Sequence, residues 1–226
     1  MKYILMDIEG TTTSISFVHE ILFPYSKKYL QSFVHKNKDF SPTKEIIEET
    51  KQTAREEESL ELDEDGVIQK LIEWINIDRK HKALKQLQGL IWEEGYQSGE
   101  LKGHVYDDVP PALKKWHEQG LKLGIYSSGS VEAQRSLFGH SLFGDLNSYF
   151  THHFDTLVGH KRDPLSYQTI LSHINEEACD VLFLSDISQE LSAAQVAGMK
   201  TLQLVRLGEI PIEGHRQIHT FNDVIL

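Results

Sequence analysis

Asp7 and Glu9 stand one residue apart and lead into Gly10-Thr11-Thr12, directly behind the apolar run Tyr3-Ile4-Leu5-Met6. A short β-prone run ending in acid-x-acid-Gly-Thr puts two negative side chains at the carboxyl end of a strand. That is the edge at which open α/β sheets bind their ligands. Carboxylates this close raise each other's pKa unless a cation neutralises them, so the pair predicts a Mg²⁺ seat beside a potential nucleophile. For Asp7 taken singly, an acid that merely opens a turn is an equal reading; Gly-Thr-Thr behind the pair favours the metal seat.

Three further groups fall where ligands would gather. Ser127-Ser128-Gly129-Ser130 follows an apolar run and leads into a helical pattern, so hydroxyls and free N–H groups converge where an anion is welcome. Alone, the same residues equally make a small-residue turn with a helix cap. Asp186, in Ser185-Asp186, is expected at the same sheet edge as Asp7, where it would complete an oxygen-rich Mg²⁺ site; singly it also passes for a helix cap. Lys161, in Gly159-His160-Lys161-Arg162-Asp163-Pro164, lies just before a helix, and gains meaning over an ordinary solvated lysine from this company.

The elements that must position these residues alternate. Residues 121–126, 181–184 and 201–205 read as strands, with a short one at 154–158. Helices are expected with Asp108 as cap and Val109-Pro110-Pro111 as first turn, ending near Gly120, over 131–138, from Asp163-Pro164 to Ile174, and over 189–197 with Gly198 as the stop. Strand, helix, strand repeated in this way predicts a Rossmann-like α/β fold, a parallel sheet with helices on both faces. Between the first strand and the rest, 25–99 is helical throughout. Tyr25, Tyr29, Leu30, Phe33 and Val34 share one face behind Pro24; Ile46, Ile47, Thr50 and Ala54 repeat the spacing, as do Val67, Ile68, Leu71, Ile72 and Ile75, and then Leu84, Leu87, Leu90 and Ile91. The expected organisation is a core domain of residues 1–14 and 104–226 with an all-helical cap inserted at 15–103. Glu56-Glu57-Glu58 is a solvated helix face or turn.

With 226 residues, 39% hydrophobic and 25% charged, the chain can bury a sizeable core. The net charge of −11 and the lack of a basic stripe with interleaved aromatics argue against nucleic acid and anionic lipid as partners. No window reaches the length of a membrane span, and the start MKYILMDIEG turns acidic too soon for an export signal, so a cytoplasmic protein is expected. The single Cys179 agrees with a reducing compartment and reads as packing. His152-His153 point opposite ways if extended, which argues against a shared zinc. Nothing calls for an oligomer, and a monomer is expected.

In order, the acid pair, the Ser-ended strand, the Lys and the late Asp resemble the four-part pattern of the haloacid dehalogenase-like superfamily. Asp7-Ile8-Glu9-Gly10-Thr11-Thr12, Ile15-Ser16-Phe17-Val18 with Leu22-Phe23-Pro24-Tyr25, His104-Val105-Tyr106-Asp107-Asp108-Val109-Pro110, and Tyr126-Ser127-Ser128-Gly129-Ser130-Val131-Glu132-Ala133-Gln134 running to Leu137-Phe138-Gly139-His140-Ser141 resemble its enolase-phosphatase family, the acireductone synthases. Most of the superfamily carries Asp where this chain has Glu9, and that Glu is part of the resemblance.

The resemblance implies a small phosphorylated diketone as substrate, 2,3-diketo-5-methylthiopentyl-1-phosphate of methionine salvage, enolised and then dephosphorylated with Mg²⁺. Asp7 would be the nucleophile. Asp7, Asp186 and the Glu9 backbone carbonyl would hold the metal, Glu9 would move protons, and Ser127, Ser128, Gly129 and Lys161 would hold the phosphoryl oxygens. The cap would exclude water and receive the methylthio tail. His19 and Glu20 sit where they could meet the diketone, or simply open a solvated helix. Two rivals share these residues: a phosphomonoesterase of sugar phosphates, and a silent protein that binds a phosphorylated metabolite.

Overall fold

The computed structural model describes residues 1–208 and 214–226. The chain divides into two compact units, one formed by Met1–Ile15 with Lys102–Leu226 and the other by Ser16–Leu101.

The first unit is built on six parallel strands: β1 (Tyr3–Met6), β2 (Lys122–Tyr126), β3 (Phe150–Phe154), β4 (Val181–Ser185), β5 (Lys200–Leu204) and β6 (Gln217–Ile218). Their order across the sheet is β3-β2-β1-β4-β5-β6. The chain builds outward from β1 through β2 to β3, then returns to lay β4 against the other side of β1. The point where the order reverses therefore lies between β1 and β4, and open α/β sheets bind ligands just outside it.

Every residue of β1 and β4 is buried, which requires cover on both faces. On one face Tyr3, Leu5 and Phe183 pack with Tyr167, Ile170 and Ile174 of α7 (Pro164–Ile174) and with Leu191 and Ala194 of α8 (Ser188–Val196). The alternate residues Ile4, Met6, Leu182 and Leu184 are buried on the other. Helices α5 (Val109–Glu118) and α6 (Val131–Gly139) complete the α/β architecture that the alternation predicts.

Two local expectations need correction, and one strand, β6, was not anticipated. The short strand expected at 154–158 is β3, four residues earlier. After Phe154 the Asp155 side chain accepts the Leu157 N–H at 2.9 Å and turns the backbone into a 3₁₀ turn. β6 is too short to leave a periodic signal. Cys179 does not pack; it is exposed in the 3₁₀ turn that precedes β4.

The second unit is all-helical: α1 (Phe23–Asn37), α2 (Thr43–Glu58), α3 (Glu64–Asn76) and α4 (Lys82–Ser98), with a π-helical turn, Phe17–Leu22, ahead of α1. The apolar faces read from the sequence meet here, with Leu30, Phe33, Val34, Ile46, Ile47, Val67, Ile68, Leu71, Ile75, Leu84, Leu87 and Ile91 in one core around Trp74. Asp63 caps α3 by accepting the Gly66 N–H at 2.8 Å. Glu57 and Glu58 lie on the solvated side of α2, paired with Arg79 and Lys70.

Candidate active site

Asp7 follows the last residue of β1 and Ser185 is the last residue of β4; pairing of Met6 with Leu184 brings them side by side. The Asp7 N–H bonds the Leu184 carbonyl at 2.9 Å. Asp7 is 4% exposed, and both of its carboxylate oxygens are engaged. Oδ1 accepts the Ile8 N–H at 2.7 Å and meets Lys161 Nζ at 2.6 Å, while Oδ2 accepts the Ser185 hydroxyl at 3.2 Å.

Lys161 reaches this point from a loop held at three successive carbonyls. Tyr126 donates to Gly159 O at 3.0 Å, Ser166 to His160 O at 2.8 Å and Tyr167 to Lys161 O at 2.7 Å. Gly159 has φ +130°, and a Cβ there would collide with the Ser166 hydroxyl, so the turn requires glycine. The ammonium has a second partner, Glu190 Oε2 at 2.6 Å, in the first turn of α8. Burial opposes its charge, but Asp7 and Glu190 outweigh burial and hold its pKa above the ordinary lysine value.

Asp186 follows β4 and crowds the turn after β1, where Gly10 has φ +70° and a Cβ would collide with the Asp186 carboxylate. Its Oδ1 is buried with no hydrogen-bond partner. Burial first, and then the charge of Asp7, push the Asp186 pKa up to about 7. Burial followed by Asp7 does the same to Glu190, also to about 7, against the pull of Lys161. Three carboxylates thus face one ammonium at the sheet's switch point.

A carboxylate at the end of β1 thus has a lysine bonded to it and a second acid beside it at the end of β4. The sequence matches the haloacid dehalogenase-like hydrolases over residues 1–198. The chain belongs to that family. Within it, the chain is 49% identical over 224 residues to enolase-phosphatase E1 of Marinobacter nauticus, covering 99% of this chain and 96% of that one. It is 46% identical over 224 residues to the protein of the same name from Pseudomonas fluorescens, covering 99% and 97%. Among solved structures, the UTR4 protein of Saccharomyces cerevisiae superposes with a TM-score of 0.80 at 35% identity, covering 99% of each chain. CbbY from Rhodobacter sphaeroides, in complex with phosphate, shares the fold at a TM-score of 0.61 and 14% identity, over 99% of this chain and 96% of that one.

As a haloacid dehalogenase-like hydrolase, the chain has Asp7, Lys161 and Asp186 in one place, and Glu190 with them. Glu190 was not anticipated, because an acid in a first helical turn is ordinarily explained by the helix dipole. Its signal was its place five residues beyond Ser185, whose hydroxyl also contacts Glu190 Oε2 at 3.2 Å. Glu9 is exposed on the turn that follows Asp7.

Ser127 is buried at the end of β2, its N–H on Phe154 O at 3.1 Å and its hydroxyl accepting the Gly129 N–H at 3.2 Å; Ser128 is exposed. Behind this turn is another unanticipated residue, Gln134 of α6. Its amide N–H₂ donates to Gly129 O at 2.9 Å and Phe154 O at 2.8 Å, and its carbonyl oxygen lies 3.2 Å from His153 Nδ1. Burial pushes the His153 pKa down to about 4, so the ring is neutral and its Nδ1–H donates to Gln134. His19 and Glu20 are exposed in the π-helical turn of the other unit.

Among the described residues no three His, Cys, Asp or Glu side chains form a ready-made metal cluster. Two carboxylates plus a backbone carbonyl is nevertheless what Mg²⁺ takes when it keeps waters in its remaining positions. The unpaired buried oxygen of Asp186 and the excess of carboxylate over ammonium fit a divalent cation held by Asp7, Asp186 and the Glu9 carbonyl.

Proposed function

We propose that this hydrolase is a Mg²⁺-dependent enolase-phosphatase of methionine salvage. It converts 2,3-diketo-5-methylthiopentyl-1-phosphate to the acireductone and phosphate by way of an aspartyl phosphate on Asp7. The observation that carries the reading is the buried Asp7–Lys161 contact beside the unpartnered Asp186 Oδ1, at the sheet edge where open α/β sheets bind their ligands. The close relation to the enolase-phosphatases supports the enolisation step and the identity of the diketone.

Attack by a carboxylate on a phosphate ester brings anion to anion. Bound Mg²⁺ would supply the charge that screens this approach. Asp7 attacks phosphorus as the ester oxygen departs, and Lys161, which already bonds Asp7, follows the charge onto the phosphoryl group. Ser127 with the backbone at Ser128 and Gly129 holds the remaining phosphoryl oxygens. Glu9 takes a proton from the carbon beside the diketone, protonates the leaving oxygen, and then activates water against the phosphoenzyme. The helical unit serves as the cap, with apolar surface for the methylthio tail.

We also read the protein as a cytoplasmic monomer without a nucleic-acid or membrane partner; no helix among the described residues is long and apolar enough to cross a membrane. Substrate trials with Mg²⁺ test the function. The diketo phosphate should be turned over with release of phosphate and appearance of the enediol absorbance. Faster phosphate release from ordinary sugar phosphates, with no enediol formed, would replace this reading by that of a simple phosphomonoesterase.

A further inference from the structure

We infer that Arg206, braced by Asp108, is a positioning residue that fixes the turn carrying Glu9 and so sets the rate of proton transfer. The turn after Asp7 is tied inward on the Ile8 carbonyl, which accepts from the N–H groups of Thr11, Thr12 and Thr13 at 3.2, 2.9 and 2.9 Å; Gly10 N–H closes it on Thr13 O at 2.8 Å. These bonds leave the carbonyl of Thr11, a residue with no solvent exposure, in need of a donor, since a buried acceptor without one destabilises the fold. Arg206 supplies two, Nε at 2.9 Å and Nη2 at 2.6 Å.

The other edge of the guanidinium is held just as firmly. Nη1 meets both oxygens of Asp108, at 2.9 and 2.7 Å, and the group lies 4.2 Å from the Tyr106 ring centroid and 5.0 Å from that of Phe221. Asp108 Oδ2 also accepts the Phe221 N–H at 2.6 Å, which ties the carboxylate to the C-terminal segment. Only a planar fork serves the Thr11 carbonyl and the Asp108 carboxylate together; a lysine ammonium is a single point charge. None of these bonds reaches Lys161 or the Ser127 turn, so the phosphate contacts are independent of them.

The inference rests on the proposed role of Glu9, and a double-mutant cycle separates the two. Arg206→Lys should lower kcat by about tenfold or more, the scale of a lost hydrogen bond to a charged group. At saturating Mg²⁺, where a weakened hold of the Glu9 carbonyl on the metal is not read out, it should leave competitive inhibition by inorganic phosphate unchanged, and should add no further loss in a Glu9→Ala background. Asp108→Asn, which keeps the shape of the brace, should show the same pattern more weakly and stands in if the Arg206 variant does not fold. An equal loss of kcat with and without Glu9, a parallel weakening of phosphate inhibition, or no loss at all overturns the inference. A Glu9→Ala enzyme with undiminished kcat would instead refute the proton-transfer role itself, and the inference with it.

Discussion

Lys161 Nζ lies 2.6 Å from Asp7 Oδ1, and both side chains are almost out of water. The ammonium sets a positive charge against that carboxylate in a place where water can do little to compensate it. It also leaves the neighbouring acids Asp186 and Glu190 only partly compensated.

Removing the ammonium should therefore cost stability as well as activity. Lys161→Met strands buried carboxylates, and breaking such a pair typically costs about 3–5 kcal/mol. Thermal melts should show a large fall in the midpoint at pH 8 that shrinks towards pH 5, as Glu190 and Asp186 take up protons. A deficit that does not depend on pH would mean that shape, and not charge, was lost.

The raised acids give the metal-free protein a pH dependence of definite sign. Asp186 and Glu190 titrate at about 7 in the folded chain, against about 4 when unfolded. The folded state therefore binds more protons between these values, and the stability these groups contribute is lost as pH rises through about 7. Melts of the metal-free protein should fall in midpoint from pH 5 to pH 8. Mg²⁺ should raise the midpoint more at pH 8 than at pH 6, because the cation competes with those protons. Equal Mg²⁺ stabilisation at both pH values would argue against carboxylates that must lose protons to bind it.

The strand-end groups were legible in the sequence because their chemistry is unusual for their place. An acid pair followed by Gly-Thr-Thr has few purely structural explanations, and the serine run, ambiguous alone, gains meaning from its company. Glu190, Gln134 and Arg206 were not legible, since each sits where a polar residue is ordinary: a first helical turn, a helix face, the end of a strand. Only the fold shows that the first turn of α8 faces Lys161, or that Gln134 reaches two carbonyls across a turn. Asp108 was read as a helix cap, and it does precede α5, but its carboxylate makes no capping bond because Arg206 and the Phe221 N–H take it. The helical faces of the second unit were clear from periodicity, because a 3.6-residue repeat over several turns has no other explanation.

Gly10 is constrained twice, by its positive φ and by the Asp186 carboxylate against its α-carbon. Gly10→Ala should destabilise by about 1–3 kcal/mol through backbone strain. It should also weaken Mg²⁺ binding by displacing Asp186. Calorimetric titration with Mg²⁺ reads this directly, and an unchanged affinity would place Asp186 outside the metal site.

Gln134 holds the turn that presents Ser127, Ser128 and Gly129. Gln134→Leu keeps the bulk and removes both donated bonds, at about 1 kcal/mol each. Competitive inhibition by inorganic phosphate should weaken by several-fold to about tenfold, with the Mg²⁺ affinity unaffected. Phosphate inhibition at the original strength would show that this turn does not bind the phosphoryl group.

The central claim is that Asp7 takes the phosphoryl group. Rapid acid quenching during turnover, followed by hydroxylamine and mass spectrometry of the peptide that contains Asp7, measures it. The account predicts a hydroxamate at Asp7 that forms only with substrate and Mg²⁺ together and is absent from Asp7→Asn. Turnover at full rate by Asp7→Asn, or a trapped adduct on another residue, would contradict it.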